Sequence, residues 1–181
     1  MKIIAFAGMP CSGKTEAVEI AKERNIPVIR MGDMVWEEVK KRGLPLNDEN
    51  VGRIANQMRK DFGKDIWAQR TLEKISSFDK QDIIVIDGIR NVEEIETFKK
   101  ELGKDFVIIA IKSSGDIRCK RFLQRGREDD SKDIGDFEKR DKRELGWGLG
   151  TVIESADIVV SNEGTIKDFK DEIQKILEEM C

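Results

Sequence analysis

The feature that most constrains this chain is a glycine-bounded loop near its start. The loop matches the phosphate-binding pattern G-x-x-x-x-G-K-[ST] at every fixed position, between a short apolar run and a helix-like segment. Gly8 and Gly13 permit a tight turn and a close approach to an anion, and the following helix adds its positive end. We expect Lys14 to bind the β- and γ-phosphates of a nucleotide and Thr15 to bind Mg²⁺. The predicted phosphate-binding residues are Gly8, Met9, Pro10, Cys11, Ser12, Gly13, Lys14 and Thr15.

The composition favours a single domain and excludes several kinds of site. A chain of 181 residues is long enough for one α/β domain with its own core. The net charge of −3 argues against a dedicated nucleic-acid-binding domain, which is usually basic. The absence of histidine and the scattered cysteines exclude a Ser-His-Asp triad and a zinc site. No apolar run is long enough to cross a bilayer and no export signal is visible, so we expect a cytoplasmic protein.

Short apolar runs alternate along the chain with amphipathic, charged segments. The runs are apolar throughout, which indicates strands of a parallel sheet that is covered on both faces. This alternation predicts a doubly wound α/β fold that binds ligands at the carboxyl ends of its strands. The predicted strands are Lys2–Ala7, Pro27–Met31, Asp82–Asp87, Phe106–Lys112 and Asp157–Ser161. The predicted helices are Lys14–Arg24, Met34–Lys41, Asn50–Phe62, Asp65–Ser77, Val92–Glu101, Gly115–Arg125, Asp136–Leu145 and Ile166–Met180.

Two insertions interrupt this alternation within the single predicted domain, 1–181. Residues 33–80 contain helical patterns without a strand. We expect them to form a lobe that binds the acceptor of a phosphoryl group through basic residues such as Arg53 and Arg59. Residues 116–148 are rich in alternating charge and glycine, and we expect them to form a lid. The remaining core would consist of residues 1–32, 81–115 and 149–181.

Three polar residues follow predicted strand ends. Asp87 ends an apolar strand, where phosphate-loop proteins hold Mg²⁺ or orient the nucleophile. Arg90 follows closely and suits bidentate contact with phosphate, although it is equally consistent with a surface residue that begins a helix. Asp33 follows the second strand. It is either the N-cap of the helix that starts at Met34 or a carboxylate that accepts a proton from, or orients, an acceptor group facing the γ-phosphate, and both roles are compatible.

A run of arginines lies in the predicted lid. Arg118, Arg121 and Arg125 share one helical face, and Arg127 follows Gly126. Such residues can neutralise the charge of a transferring phosphoryl group, so we assign Arg125 and Arg127 to this role. The alternative is a solvated helix with internal salt bridges, because acidic residues follow directly.

The last predicted strand ends in the sequence Ser-Asn-Glu-Gly at positions 161–164. Asn162 is a candidate for contact with the nucleotide base. An ordinary turn between a strand and a helix explains the same pattern.

Four motifs together resemble those of nucleoside-monophosphate-kinase-like phosphate-loop kinases, and the resemblance covers essentially the whole chain. The G-M-P-x-S-G-K start and the M-G-D turn resemble archaeal adenylate-kinase-related proteins. The segment from Asp87 to Arg90 resembles the D-G-x-P-R element of adenylate kinases, but its arginine comes one residue earlier and the proline is absent. The segment from Ala156 to Gly164 is similar to the corresponding ending of dephospho-coenzyme A kinases. Trp36 stands where archaeal relatives often carry arginine, and it either stacks on an acceptor base or packs.

The resemblance implies a three-layer phosphate-loop fold with a five-stranded parallel sheet in the order 2-3-1-4-5. It also implies ATP and Mg²⁺ as cofactors. The expected reaction moves the γ-phosphoryl group of ATP to a nucleoside monophosphate or a related small acceptor. The alternatives are a dephospho-coenzyme A kinase-like activity and a regulatory nucleotide-binding ATPase with a protein partner. The acceptor, the choice between ATP and GTP, and the choice between monomer and homodimer stay open at this point.

Overall fold

One five-stranded sheet forms the centre of the computed structural model, which describes residues 1–78, 81–124 and 133–180. The strands are β1 (Lys2–Ala7), β2 (Val28–Arg30), β3 (Ile83–Asp87), β4 (Phe106–Lys112) and β5 (Ile158–Ser161). All neighbouring strands are parallel, and their order is β2-β3-β1-β4-β5. The predicted fold class and sheet order are therefore confirmed.

Helices cover both faces of the sheet. Along β1, Ile3 and Ala5 face one layer, whereas Ile4 and Phe6 face the other, and all four are at most 1% exposed. This double burial explains why the strand is apolar without alternation. None of the helices in the described ranges is long and apolar enough to cross a membrane. The helices are α1 (Lys14–Glu23), α2 (Met31–Lys41), α3 (Asp48–Phe62), α4 (Ile66–Ile75), α5 (Val92–Leu102), α6 (Gly115–Gln124), α7 (Ile134–Gly146), α8 (Leu149–Glu154) and α9 (Ile166–Met180), with a 3-10 turn at Gly103–Asp105.

The register of the central strands brings three chain segments to one edge of the sheet. Asp87 at the end of β3 pairs with Phe6 of β1 on one side and with Arg30 of β2 on the other. The segments that follow these three residues therefore leave the sheet at the same level. The phosphate-binding loop, the start of α2 and Arg90 all lie on these segments.

The start of α2 differs from the prediction. The sequence predicted a strand through Met31 and a helix from Met34 with Asp33 as its N-cap, but α2 begins at Met31 and β2 ends at Arg30. Asp33 therefore lies in the first turn of α2, where a carboxylate still interacts favourably with the helix dipole. The error arose because one buried apolar residue, Met31, fits either a strand end or a helix start.

The short helix α8 was not predicted. No element was predicted between Leu145 and Asp157, and the structure shows Gly148, with a φ of 101°, as the N-cap of this helix. Leu149, Val152 and Ile153 follow at helical spacing, and all three are buried in the core. Tertiary burial of this short apolar face stabilises the helix.

The carboxylate of Glu38 connects α2 to α4. It is buried and accepts hydrogen bonds from Arg70 Nη1 at 2.9 Å and from Arg42 Nε at 2.7 Å. The bonds from Arg70 and then Arg42 hold the pKa of Glu38 below its usual value. The guanidinium of Arg70 also lies 5.4 Å from the centroid of the buried Trp67 ring. These contacts fix the relative positions of α2 and α4.

Replacing Glu38 with Gln should destabilise the fold in a pH-dependent way. At neutral pH we expect a loss of about 2 kcal/mol in the free energy of unfolding, because hydrogen bonds to a charged group are lost. The pKa of Glu38 is lowered in the folded state, so its stabilisation is present above the unfolded-state value near 4.5 and is lost as the pH falls through the folded-state value. Urea unfolding at several pH values measures this, with the exposed neighbour Glu37→Gln as the control. If the free energies of unfolding of Glu38→Gln and Glu37→Gln differed by the same amount at every pH, the charge of Glu38 would not be the source of this stabilisation.

Candidate active site

The shape of the loop between β1 and α1 requires both of its glycines. A Cβ atom on Gly8 would lie 2.4 Å from Ser12 Oγ and 2.8 Å from the carbonyl oxygen of Ile111. Gly13 has a φ of +108°, and a Cβ atom there would lie 2.0 Å from Asn162 Nδ2. Any larger residue at either position would move the backbone. The sequence motif therefore corresponds to a real geometric constraint.

Side chains from behind the loop hold it by its carbonyl oxygens. Asn162 Nδ2 donates to the Ser12 carbonyl oxygen at 2.8 Å, and the hydroxyl of Ser113 lies 3.2 Å from the same oxygen. Arg121 on α6 donates to the carbonyl oxygens of Cys11 and Ser12 at 3.4 and 3.3 Å. Arg121 also donates to the Asn162 carbonyl oxygen at 2.8 Å. A loop held in this way presents its N–H groups on the opposite side, which is the arrangement that binds anions.

Arg118 connects the loop to α7. It is buried, and its Nη1 donates to the carbonyl oxygen of Pro10 at 3.2 Å. The same guanidinium donates to both carboxylate oxygens of Asp141 at 2.8 and 2.6 Å. It also lies 5.2 Å from the centroid of the Phe137 ring. The position of α7 is therefore tied to the backbone of the loop.

A cavity of about 600 Å³ opens in front of the loop. Lys14 Nζ lies 3.1 Å from Asp87 Oδ1, and Thr15 lines the same cavity. The Asp87 carboxylate and the Thr15 hydroxyl are oxygen donors of the kind that suits Mg²⁺. Among the described residues, no three His, Cys, Asp or Glu side chains could hold a metal ion together. These donors therefore fit Mg²⁺ that arrives with the phosphates of a nucleotide, the usual arrangement in kinases.

A second cavity, also of about 600 Å³, lies beside the first. Its lining comes mainly from α2, α3 and α7, together with the segment that follows β3. One part of its wall is apolar and includes Val35, Val51, Ala55 and Trp67. The residues that line both cavities are Gly88, Arg90, Arg140 and Glu144. The two cavities therefore meet at these residues.

Arg90 lies at this junction and is held there by several groups. Its Nη1 donates to the two carboxylate oxygens of Glu144 at 2.6 and 2.5 Å. Its guanidinium lies 5.2 Å from the centroid of the Trp147 ring. Its backbone N–H donates to Glu94 Oε2 at 2.8 Å, and Asn91 caps the same turn by accepting from the Glu94 amide. The side chain of Arg90 is thus held by the carboxylate of Glu144, and its backbone is held by the carboxylate of Glu94.

A buried ion pair lines the second cavity. Glu94 is fully buried, and its Oε1 lies 3.2 Å from Arg59 Nη2. Burial raises the pKa of Glu94, while the charge of Arg59 acts in the opposite direction. Arg59 comes from α3, one of the helices predicted to bind an acceptor.

The structure places ten of the predicted residues at one cavity, namely the eight residues of the phosphate-binding loop together with Asp87 and Arg90. Lys14, Thr15, Asp87 and Arg90 all line it, as the strand-end argument expected. Their catalytic and metal-binding roles stay predictions, because proximity alone does not test them. Arg125 and Arg127 lie outside the described residues.

Asp33 and Asn162 lie elsewhere. Asp33 is half-buried in the first turn of α2 and follows Gly32, which lines the second cavity, but Asp33 itself is not part of either lining. Asn162 is buried behind the loop and uses its side chain to hold Ser12. A direct contact between Asn162 and a nucleotide base stays a prediction. The buried position of Asn162 behind the loop does not favour such a contact.

Sequence reasoning did not identify Glu144 and Trp147 as site residues. Glu144 occurs in a charge-dense helix where nothing in the local pattern separates it from exposed acidic residues. The Gly-Trp-Gly sequence around Trp147 gave a weak signal, since an aromatic residue between glycines is often placed for contact. Both residues reach the site only through the packing of α7 beside the segment that follows β3.

Comparison with known protein sequences identifies the family of this chain. Residues 7–136, more than half of the chain, match the family described as an AAA domain. A UPF0200 protein of Methanosarcina barkeri is 47% identical over 177 residues, which covers 98% of this chain and 95% of that protein. This chain belongs to the UPF0200 family. A UPF0200 protein of Methanocaldococcus jannaschii is 43% identical over 181 residues, with 99% and 91% coverage. The predicted membership of an archaeal phosphate-loop kinase-like family is confirmed.

One of the relatives is much longer than this chain. The protein of Archaeoglobus fulgidus named UPF0200/UPF0201 is 46% identical over 178 residues. The match covers 98% of this chain but 55% of that protein. The UPF0200 region is therefore joined there to a second region of comparable size.

Two solved structures share the fold. TT1252 from Thermus thermophilus has a TM-score of 0.65 at 14% identity, covering 99% of this chain and 98% of that one. Shikimate kinase from Aquifex aeolicus has a TM-score of 0.51 at 19% identity, covering 97% and 96%. Identities this low show the fold alone. The phosphate-loop kinase fold of this UPF0200 chain is thereby established at the level of architecture.

Replacing Asn162 with Ala should weaken phosphate binding without changing base preference. The loop would lose a buried hydrogen bond, and we expect the affinity for ATP and for inorganic tripolyphosphate to fall about 10-fold each. Isothermal titration calorimetry measures both ligands, with the exposed residue Asn56→Ala as the control. A loss confined to ATP would instead indicate that Asn162 contacts the base.

Proposed function

We propose that this protein transfers the γ-phosphoryl group of ATP to a small phosphate-bearing acceptor of the nucleoside monophosphate type, such as AMP. The observation that carries the proposal is the pair of cavities that meet at Arg90. One contains the phosphate loop and the other is lined by basic side chains. Phosphoryl transfer needs such adjacent sites, because the attacking and leaving oxygens must be close and roughly in line.

The first cavity is the proposed donor site. The loop amides and Lys14 bind the β- and γ-phosphates, and Thr15 and Asp87 hold Mg²⁺ that arrives with ATP. When bound, Mg²⁺ supplies positive charge for the oxygens on which negative charge develops. The ion pair between Lys14 and Asp87, at 3.1 Å, keeps both charged groups directed into the cavity. This supports their assignment to one site.

The second cavity is the proposed acceptor site. Its lining contains five basic residues against three acidic ones, which favours an anionic ligand. Its apolar wall gives a flat organic group such as a base a surface on which to pack. These two properties together favour a nucleoside monophosphate over a small hydroxy acid. The basic residues are Arg59, Arg90, Lys139, Arg140 and Arg143.

Three arginines neutralise the transferring group in this proposal. Arg90 lines both cavities, which supports its assignment to this role. Arg125 and Arg127 follow α6 in the sequence and take part as residues of the proposed lid at 116–148. Asp33, at the start of the proposed acceptor lobe, orients the acceptor from the first turn of α2. Positioning and electrostatic stabilisation then provide the catalysis.

A second candidate function is a nucleotide-dependent regulator with a protein partner. The observation that favours it is the Archaeoglobus fulgidus relative, in which this region makes up 55% of a longer protein. Regions joined in one chain often cooperate, so this relative favours a function that involves a protein partner. In that case ATP hydrolysis would not depend on a small acceptor.

A dephospho-coenzyme A kinase-like activity is a variant of the phosphoryl transfer proposed first. It differs from that reaction only in its acceptor.

Transfer from γ-labelled ATP with Mg²⁺ tests these functions directly. The acceptors are AMP, the other nucleoside monophosphates, dephospho-coenzyme A and none. We expect label in AMP, and we expect Lys14→Ala to lower the rate by at least about 100-fold, because the variant loses charge stabilisation of the transition state. Lys22→Ala, an exposed change on the same helix, is the control.

Three results would contradict parts of this assignment. Undiminished turnover by a folded Lys14→Ala protein would reject the site. Label in dephospho-coenzyme A alone would correct the acceptor. Label only in free phosphate, at a rate that no acceptor changes, would favour the regulatory function.

Replacing Asp33 with Asn separates the two kinds of acceptor. A phosphate oxygen is already ionised at neutral pH, whereas a hydroxyl must lose its proton during transfer. We therefore expect Asp33→Asn to change kcat with AMP by less than about 10-fold and to lower kcat with a hydroxyl acceptor by about 100-fold or more. Steady-state kinetics with AMP and dephospho-coenzyme A measure this, with the exposed Glu37→Gln on the same helix as the control. An equal loss with both acceptors would contradict a role for Asp33 as a base.

A further inference from the structure

Two carboxylates on one face of α7 contact arginines on two sides of the candidate active site. Asp141 and Glu144 are three residues apart and therefore share a helical face. Asp141 binds Arg118, whose Nη1 also donates to the carbonyl oxygen of Pro10 in the phosphate loop. Glu144 binds Arg90 where the two cavities meet. One helix face thus connects the loop to the junction through two ion pairs.

The contacts of Arg90 leave part of its guanidinium available to a ligand. Both oxygens of Glu144 accept from the same nitrogen, Nη1. Within the described residues, Nε and Nη2 make no hydrogen bond. The Trp147 ring lies beside the guanidinium at 5.2 Å. Arg90 is therefore fixed by one nitrogen and one ring, and it keeps two donors for an anion at the junction.

Glu144 is the buried partner of this ion pair, whereas the side chain of Arg90 is 40% exposed. Glu144 is 6% exposed, and among the described residues it is the only carboxylate that lines the junction of the two cavities. Charges attract more strongly where water is largely excluded. A carboxylate without a cation at this point would repel a phosphoryl group. Its pairing with Arg90 therefore neutralises Glu144 and directs the arginine at the same time.

We propose that Glu144 is a positioning residue for phosphoryl transfer. It fixes Arg90 at the junction, so that the remaining guanidinium nitrogens face the group that passes between the cavities. An arginine that is already ordered loses less conformational entropy when it binds the transferring group. This inference rests on the proposed function. Because Glu144 acts through Arg90, its loss lowers kcat and leaves the binding of ATP nearly unchanged.

Glu144→Gln tests the proposal, because it keeps the shape of the side chain and removes its charge. We expect kcat for transfer to AMP to fall about 10- to 100-fold, while KM for ATP stays within about twofold. The matched control is Glu138→Gln, an exposed change on the same helix. Thermal unfolding of both variants checks that they are folded. Equal kcat values in the two variants would overturn the proposal.

A double-mutant cycle with Arg90→Ala separates positioning from a general structural effect. If Glu144 acts through Arg90, Glu144→Gln costs nothing further in the Arg90→Ala background. Losses that add in the double variant would overturn the proposal, because they would show that Glu144 acts without Arg90.

A third measurement does not depend on activity. Nitrogen relaxation of the Arg90 side chain by NMR reports its order, and the signal is assigned by its absence in Arg90→Lys. We expect an ordered guanidinium in the wild-type and Glu138→Gln proteins, and a mobile one in Glu144→Gln. Equal order in all three would overturn the proposal. If the wild-type protein transfers phosphoryl to no acceptor, the proposed function fails, and this comparison still decides whether Glu144 positions Arg90.

Discussion

The hydrogen bonds to the carbonyl oxygens of the phosphate loop are the interaction on which the rest of the site depends. Backbone polar groups that leave solvent need partners, and here those partners come from parts of the chain more than 100 residues away. Arg121 and Asn162 supply several of them. The conformation of the loop therefore depends on β4, β5 and α6, which carry or precede these partners.

The sheet controls the position of the other charged groups in the same way. Asp87 and Arg30 are paired across neighbouring strands, so backbone hydrogen bonds fix both residues at the same level along the strands. The segment between β2 and β3 leaves the sheet at this level, after Arg30, and re-enters it at the opposite edge, at Ile83. It supplies one side of the second cavity through α2, α3 and α4, and the Glu38 network fixes α2 against α4 there.

The sequence predicted the fold and the position of the phosphate-binding loop well because their signals are local. Apolar runs without alternation identified the strands, and the glycine spacing around Lys14 identified the loop. Features that depend on packing between distant segments were harder to predict. Asn162 was expected at the base, but its side chain holds the loop from behind. Glu144 was not expected at all, because only the packing of α7 beside the residues after β3 distinguishes it from a solvated acidic residue.

The positions of the aromatic residues have a spectroscopic consequence. The chain contains three tryptophans and no tyrosine, so its intrinsic fluorescence comes almost entirely from the indole rings. Trp67 and Trp147 line the second cavity, and Trp147 lies beside Arg90, whereas Trp36 is exposed on α2. The residues that line the first cavity include none of them. The emission of this protein is therefore mainly a reporter of the second cavity, and the occupant of the first reaches an indole ring only through Arg90, which lines both.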